Sequence, residues 1–141
     1  MELTASLSDD RRSRVETRLR TNLMARLTTV NAAGRPDPVP VWFLLCGDGR
    51  ILVNRQPGKA KLRNITGNAH VALGLDVTDI GRDIIRIEGT AVHDPNHQRA
   101  DRLADYAAKY TERIGAIFGT VEQFASAFSE AIVITPIRLH A

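Results

Sequence analysis

The chain has one cysteine, Cys46, in 141 residues. That excludes an internal disulfide framework and a thiolate metal cage. Cys46 closes an apolar run, which suits a buried, inert thiol. Aromatic residues make up only 5% of the sequence, and no block of lysine and arginine is continuous. A net charge of +3 therefore permits an anionic partner without pointing to nucleic acid. No apolar stretch reaches the roughly 18 residues that a membrane span requires, and the N-terminus lacks a signal-peptide core. A cytoplasmic protein with no membrane contact is the expectation. There is no G-x-S-x-G, and Gly47-Asp48-Gly49 reads as a turn, because no G-x-G-x-x-G precedes a helix. No catalytic dyad is visible. Carboxylates, finally, are missing from one whole interval: none lies between Asp48 and Asp76.

That interval is rich in cations, with Arg50, Arg55, Lys59, Lys61 and Arg63 all inside it. The stretch VNRQPGKAKLRN, Val53 to Asn64, leaves an apolar strand, turns through Pro57-Gly58 and opens a helix. Cations at a helix start oppose the macrodipole, which puts partial positive charge at that end. Gathering several there makes physical sense when an anion sits among them and the free backbone N–H groups. The same residues would also serve as a solvated basic loop.

The rest of the chain reads as one domain, residues 1–141, with ordinary globular contents of 43% hydrophobic and 25% charged residues. Ser8, Asp9 and Asp10 start a helix that runs through Val15 and Leu19 to about Asn22 and lies over a sheet. Its arginines leave nucleic-acid contact as a minor alternative. Met24 to Val30 is a strand, and Asn31 to Gly34 a hairpin turn. Pro36, Pro38 and Pro40 remove donors from one side of the next segment, which must be an edge or loosely paired. Val41 to Cys46 reads as a continuous apolar strand, and Arg50 to Asn54 as another. A short helix covers Ala60 to Thr66, and His70 to Asp76 is a strand followed by a loop over Thr78 to Asp83. Asp83 to His93 alternates as a long strand, with a bulge expected at Gly89. A helix is predicted from about Asn96 to Lys109 on the spacing of Ala100, Leu103, Ala104 and Ala107, and a second over Val121 to Ala127. Glu130 to Leu139 closes the sheet. Six mainly antiparallel strands with peripheral helices predict a small, mainly β barrel. His93 and His97 are spaced i, i+4, but Pro95 intervenes, so they read as structural or solvated groups and not as a metal pair. His70 and His140 fall on strands and read as packed or surface groups.

Three segments in order, ARLTTVNAAGRPDPVPVWFLL, ILVNRQPGKAKLRNITGNAHVAL and RIEGTAV, resemble the pyridoxamine-phosphate-oxidase-like split β-barrel superfamily. The resemblance is nearest to the actinobacterial flavin/deazaflavin oxidoreductases that use coenzyme F420. It implies an FMN-binding-like, six-stranded split barrel and a homodimer with two cofactor sites in clefts at the subunit interface. The implied cofactor is F420, with FMN as the alternative, and the implied reaction is hydride transfer to a small unsaturated substrate. Members of this superfamily also bind haem or bilin, so a non-catalytic carrier stands as a further alternative. By the same resemblance Arg55, Lys59 and Lys61 hold the cofactor phosphate, and Arg63 and Asn64 match an Arg-Asn pair that follows. The ring would lie near Val39, Pro40, Val41, Trp42, Phe43, Val53 and Asn54. Trp42 reads first as a core or dimer residue and second as a ring contact. The substrate side would be lined by loops such as Thr78 to Arg82 and by the partner subunit.

Overall fold

The computed structural model describes residues 1–75 and 83–141, where the apolar runs become seven strands of one antiparallel sheet. A 3-10 turn at Glu2–Thr4 precedes α1 (Asp9–Thr21). The strands are β1 (Met24–Val30), β2 (Pro36–Trp42), β3 (Leu44–Leu45), β4 (Ile51–Arg55), β5 (His70–Leu75), β6 (Arg86–Asp94) and β7 (Glu130–His140). Three more helices complete the chain: α2 (Ala60–Gly67), α3 (Ala104–Ile117) and α4 (Val121–Ala127). The sheet order is β2-β1-β5-β6-β7-β4-β3, and β2 returns against β4, so the sheet curls upon itself.

Proline placement explains one end of that order. Pro36, Pro38 and Pro40 stand opposite Val30, Thr28 and Arg26, and β2 has a ladder partner on one side only. Missing donors cost little on an edge. Alternation explains the bulge: Ile85, Ile87, Gly89 and Ala91 face inward, and the register with β7 shifts between Glu88 and Gly89. A Cβ on Gly89 would stand 2.4 Å from the Thr135 carbonyl oxygen, so only glycine lets the two backbones meet there.

Strand β4 divides the core in two. Ile51 and Val53 point into the curl, among Leu27, Phe43, Leu73 and Ile132, where α1 adds Val15 and Leu19. Leu52 points the opposite way, into a second cluster with Val133 and the inner faces of α3 and α4, where Tyr106, Tyr110 and Phe124 pack. Each fully buried side chain of this size contributes roughly 1.5–3 kcal/mol.

Two expectations are corrected. Val41 to Cys46 is not one strand: Val41 and Trp42 finish β2, Phe43 breaks the ladder, and Leu44-Leu45 pairs with β4. That break makes seven strands where six were expected. The cause lies far along the chain. The Phe43 N–H donates to Tyr110 Oη at 2.8 Å, and the Phe43 carbonyl accepts from Lys109 Nζ at 2.7 Å, so α3 satisfies the backbone that leaves the sheet. The Tyr110 hydroxyl is also 2.8 Å from the Leu23 and Phe43 carbonyls, and its one proton serves one of them at a time.

The helix expected from Asn96 to Lys109 begins instead at Ala104, after a 3-10 turn at Ala100–Arg102, and runs on to Ile117. Leu103 is extended (φ −108°, ψ 103°) and interrupts the spacing of alanines. The buried face is Tyr106, Tyr110 and Ile114, which burial of large rings favours over alanine. Asp76 and the loop Thr78 to Arg82 lie outside the described residues. Cys46 is half-buried; burial and the nearby Asp48 push its thiol up, away from the reactive thiolate. No helix among the described residues is long and apolar enough to cross a membrane.

Candidate anion-binding site

At the end of β4 the chain must reverse before α2 can start. Gly58 makes that reversal at φ +76°, and Lys59 then stands extended as the residue before the helix. Helix α2 is short, and its buried residues are Lys61, Asn64 and Ile65, one face at i, i+3 and i+4. Ile65 enters the core of the curl. Asn64 Nδ2 donates to Thr29 Oγ1 at 2.9 Å and to Asp37 Oδ2 at 3.2 Å, which ties α2 across β1 and β2. Lys61 is carried to the same level, and only 4% of it remains exposed.

Arg55 ends β4 half-buried, and its Nε is buried with no hydrogen-bond partner among the described residues. Burial holds its guanidinium below the ordinary arginine range. Lys61 is lowered too: burial is the largest cause, followed by the charge of Arg55, while Asp37 opposes and Lys59 adds to the lowering. Neither Arg55 nor Lys61 is in an ion pair among the described residues. Two cations taken from water beside one another cost several kcal/mol unless an anion offsets them. That geometry fits a phosphate-sized anion, which supplies both charge and acceptor oxygens.

The other expected residues are placed differently. Lys59 is exposed at the rim, near enough to act on Lys61 by charge. Arg63 is exposed and turns back, donating from Nη1 to the Gly58 carbonyl at 2.9 Å, so it closes the turn. Val41, Phe43 and Val53 are at most 2% exposed and face the core. Val39 is half-buried and Pro40 exposed on the edge strand. Trp42 stacks on Tyr110, with ring centroids 4.7 Å apart and planes at 6°, and on Phe124 at 5.4 Å. The Asn54 amide points to the α3 side of β4, with its buried Nδ2 unpartnered near the Tyr106 hydroxyl. Alternation along β4 thus separates Asn54 from Arg55. An open cleft of about 1110 Å³, between the N-terminal segment, the Gly47–Gly49 turn and the later part of β7, contains none of Arg55, Lys59 and Lys61.

Sequence reasoning missed Asp37 as a member of the site. A signal existed, since the hairpin register places it opposite Thr29. It also missed that Lys61 is inside and Lys59 outside, although Ile65 on a short helix marks the inward face.

The family model for pyridoxamine 5'-phosphate oxidase matches residues 12–140. Among solved structures, an F420 reductase is 22% identical, with a TM-score of 0.66, covering 89% of this chain and 94% of that one. The haem storage protein HutZ of Vibrio cholerae is 16% identical, with a TM-score of 0.66 and 92% of each chain covered. A pyridoxamine 5'-phosphate oxidase assigned in Listeria innocua is 19% identical, with a TM-score of 0.61, covering 91% of this chain and 94% of that one. No curated protein matches by sequence. At these identities the structures show the fold, and it is the curled sheet with flanking helices of the split β-barrels. Because the family model spans nearly the whole chain, the protein belongs to the pyridoxamine 5'-phosphate oxidase family.

Proposed function

We propose that this protein is an F420-dependent oxidoreductase that transfers a hydride between the deazaflavin and a small unsaturated substrate. The observation that carries the reading is the buried Lys61 beside the half-buried Arg55, whose Nε is buried and unpartnered, with no counter-ion for either among the described residues. Together they would hold the cofactor's phosphate, with Lys59 adding charge at the rim. When bound, the cofactor supplies the hydride, and the chain's own part is to bind, orient and keep water away. The similar F420 reductase supports the choice of cofactor.

The reading includes a homodimer. Val41, Phe43 and Val53 are turned into the core and Trp42 is stacked in the second cluster, so this chain offers a ring little beyond Val39, Pro40 and backbone. A second copy would supply the missing wall of a binding cleft beside Arg55 and Lys61. The localisation that goes with such an enzyme is cytoplasmic.

Two alternatives use the same cations. An FMN-dependent oxidoreductase would also place a phosphate there, and a non-catalytic carrier would resemble the haem storage protein. Titrating the purified protein with F420, FMN and haem in parallel tests all three. The proposal expects F420 to bind about tenfold or more tighter than FMN, with turnover of an enone or quinone. Tighter FMN binding would replace the cofactor; tight haem binding without turnover would replace the enzyme. Light scattering expects twice the monomer mass, and a monomer at micromolar concentration would remove the shared cleft.

A further inference from the structure

Arg55 and Lys61 have no ion-pair partner among the described residues, although two carboxylates stand nearby. Asp37 is engaged by Asn64 at 3.2 Å. The second is Glu130, the register partner of Arg55 in the β4–β7 ladder. Directly opposed residues of an antiparallel pair point to the same face, with Cβ atoms about 4.5–5.5 Å apart. Two side chains as long as arginine and glutamate can meet across that gap. Here they do not: no ion pair joins them, and burial is the only cause acting on Arg55.

Glu130 is taken by a third strand. Its Oε2 lies 2.7 Å from His93 Nε2, near the end of β6. Strand β7 runs between β6 and β4, and His93 stands opposite Ile132, two residues along from Glu130 on the same face. Glu130 can therefore turn to either neighbour, His93 on one side or Arg55 on the other. His93 and Glu130 are each about one-third exposed, with side chains 34% and 27% accessible, so both have room to move.

We infer that His93 is a positioning residue whose hold on Glu130 keeps the Arg55 guanidinium open for an anionic ligand. Released from His93, Glu130 becomes a tethered competitor for Arg55. A tethered group acts at an effective concentration on the order of millimolar. The inference rests on the reading of Arg55 and Lys61 as an anion site, and it adds the device that keeps that site free.

A double-mutant cycle on the full chain tests it, with F420 and inorganic phosphate as separate probes. His93→Ala should weaken binding of both about five- to tenfold. Glu130→Gln should leave binding equal to or tighter than wild type, and His93→Ala in the Glu130→Gln background should have no further effect. His93→Gln, which still offers Glu130 a donor, should restore most of the affinity. Unchanged melting temperatures would separate this from a damaged strand end. If His93→Ala binds both probes like wild type, or weakens binding equally with and without Glu130, the inference is wrong. Arg55→Ala is the control for the underlying reading. Should it leave both affinities unchanged, the anion site itself falls, and this device with it; a loss in Arg55→Ala without coupling between His93 and Glu130 overturns the device alone.

Discussion

Lys61 and Lys109 are both drawn out of water by this fold, and they are treated in opposite ways. Lys109, on α3, donates to the Phe43 carbonyl at 2.7 Å and sits 3.8 Å from the centroid of the Phe43 ring. Burial pushes its ammonium down to about 8, yet it has a carbonyl and two aromatic faces as partners. Lys61, on α2, is lowered by burial and by its neighbour Arg55, and no side chain among the described residues completes its charge. A lowered lysine is therefore not in itself the mark of a binding site. On the proposed reading, the mark is a lowered lysine without an ion-pair partner among the described residues, next to a second cation in the same position. Lys109 closes a strand break, whereas Lys61 has no ion-pair partner among the described residues.

The largest way to sharpen that contrast is on the structural side. Trp42→Ala should cost about 3–5 kcal/mol of stability, because Trp42 stacks on the tyrosine whose hydroxyl holds Phe43. Chemical denaturation measures it; a loss under about 1 kcal/mol would mean the ring is not a core element and would return it to the ring-contact reading. Next in size, Lys61→Met should stabilise the ligand-free protein by about 1–2 kcal/mol, since it removes a buried charge and leaves no polar atom behind. Destabilisation would show that Asp37 already compensates Lys61.

The pH dependence gives a smaller effect with a definite sign. Lys109 has a folded value of about 8 against an ordinary 10.5, so the unfolded chain holds the extra proton between those values. The stability of wild type relative to Lys109→Met should climb as pH rises through that window, and be flat below it. Burial makes Tyr106 and Tyr110 harder to ionise, which lowers stability above pH 10, but both proteins share that slope. A falling difference would mean the carbonyl and ring outweigh burial. Smallest of all, Lys59→Ala should weaken anion binding by under about 1 kcal/mol, because the side chain is exposed at the rim.

What could be read from the chain follows from how local each cause is. The bulge at Gly89, the proline edge strand and the bounds of α4 depend on nearby residues, and all stand where alternation, missing donors and helical spacing put them. The break at Phe43 depends on Tyr110 and Lys109, about half the chain away, and nothing in VWFLLC announces it. The start of α3 was obscured because alanines at helical spacing suggested a face that the tyrosines in fact supply. For the candidate site, the gap in carboxylates from Asp48 to Asp76 drew attention to the cations between Arg50 and Arg63. Which of them would be inside was decided by the face of α2 that meets the barrel, and the position of Glu130 opposite Arg55 by a pairing between β4 and β7 that no local pattern encodes.

The most direct test compares the two lysines in a single titration, following deazaflavin fluorescence with wild type, Lys61→Met and Lys109→Met at pH 7. The account expects Lys61→Met to lose about 1.5–3 kcal/mol of F420 binding, with Lys109→Met close to wild type. Equal affinity for all three, or a loss confined to Lys109→Met, would contradict it.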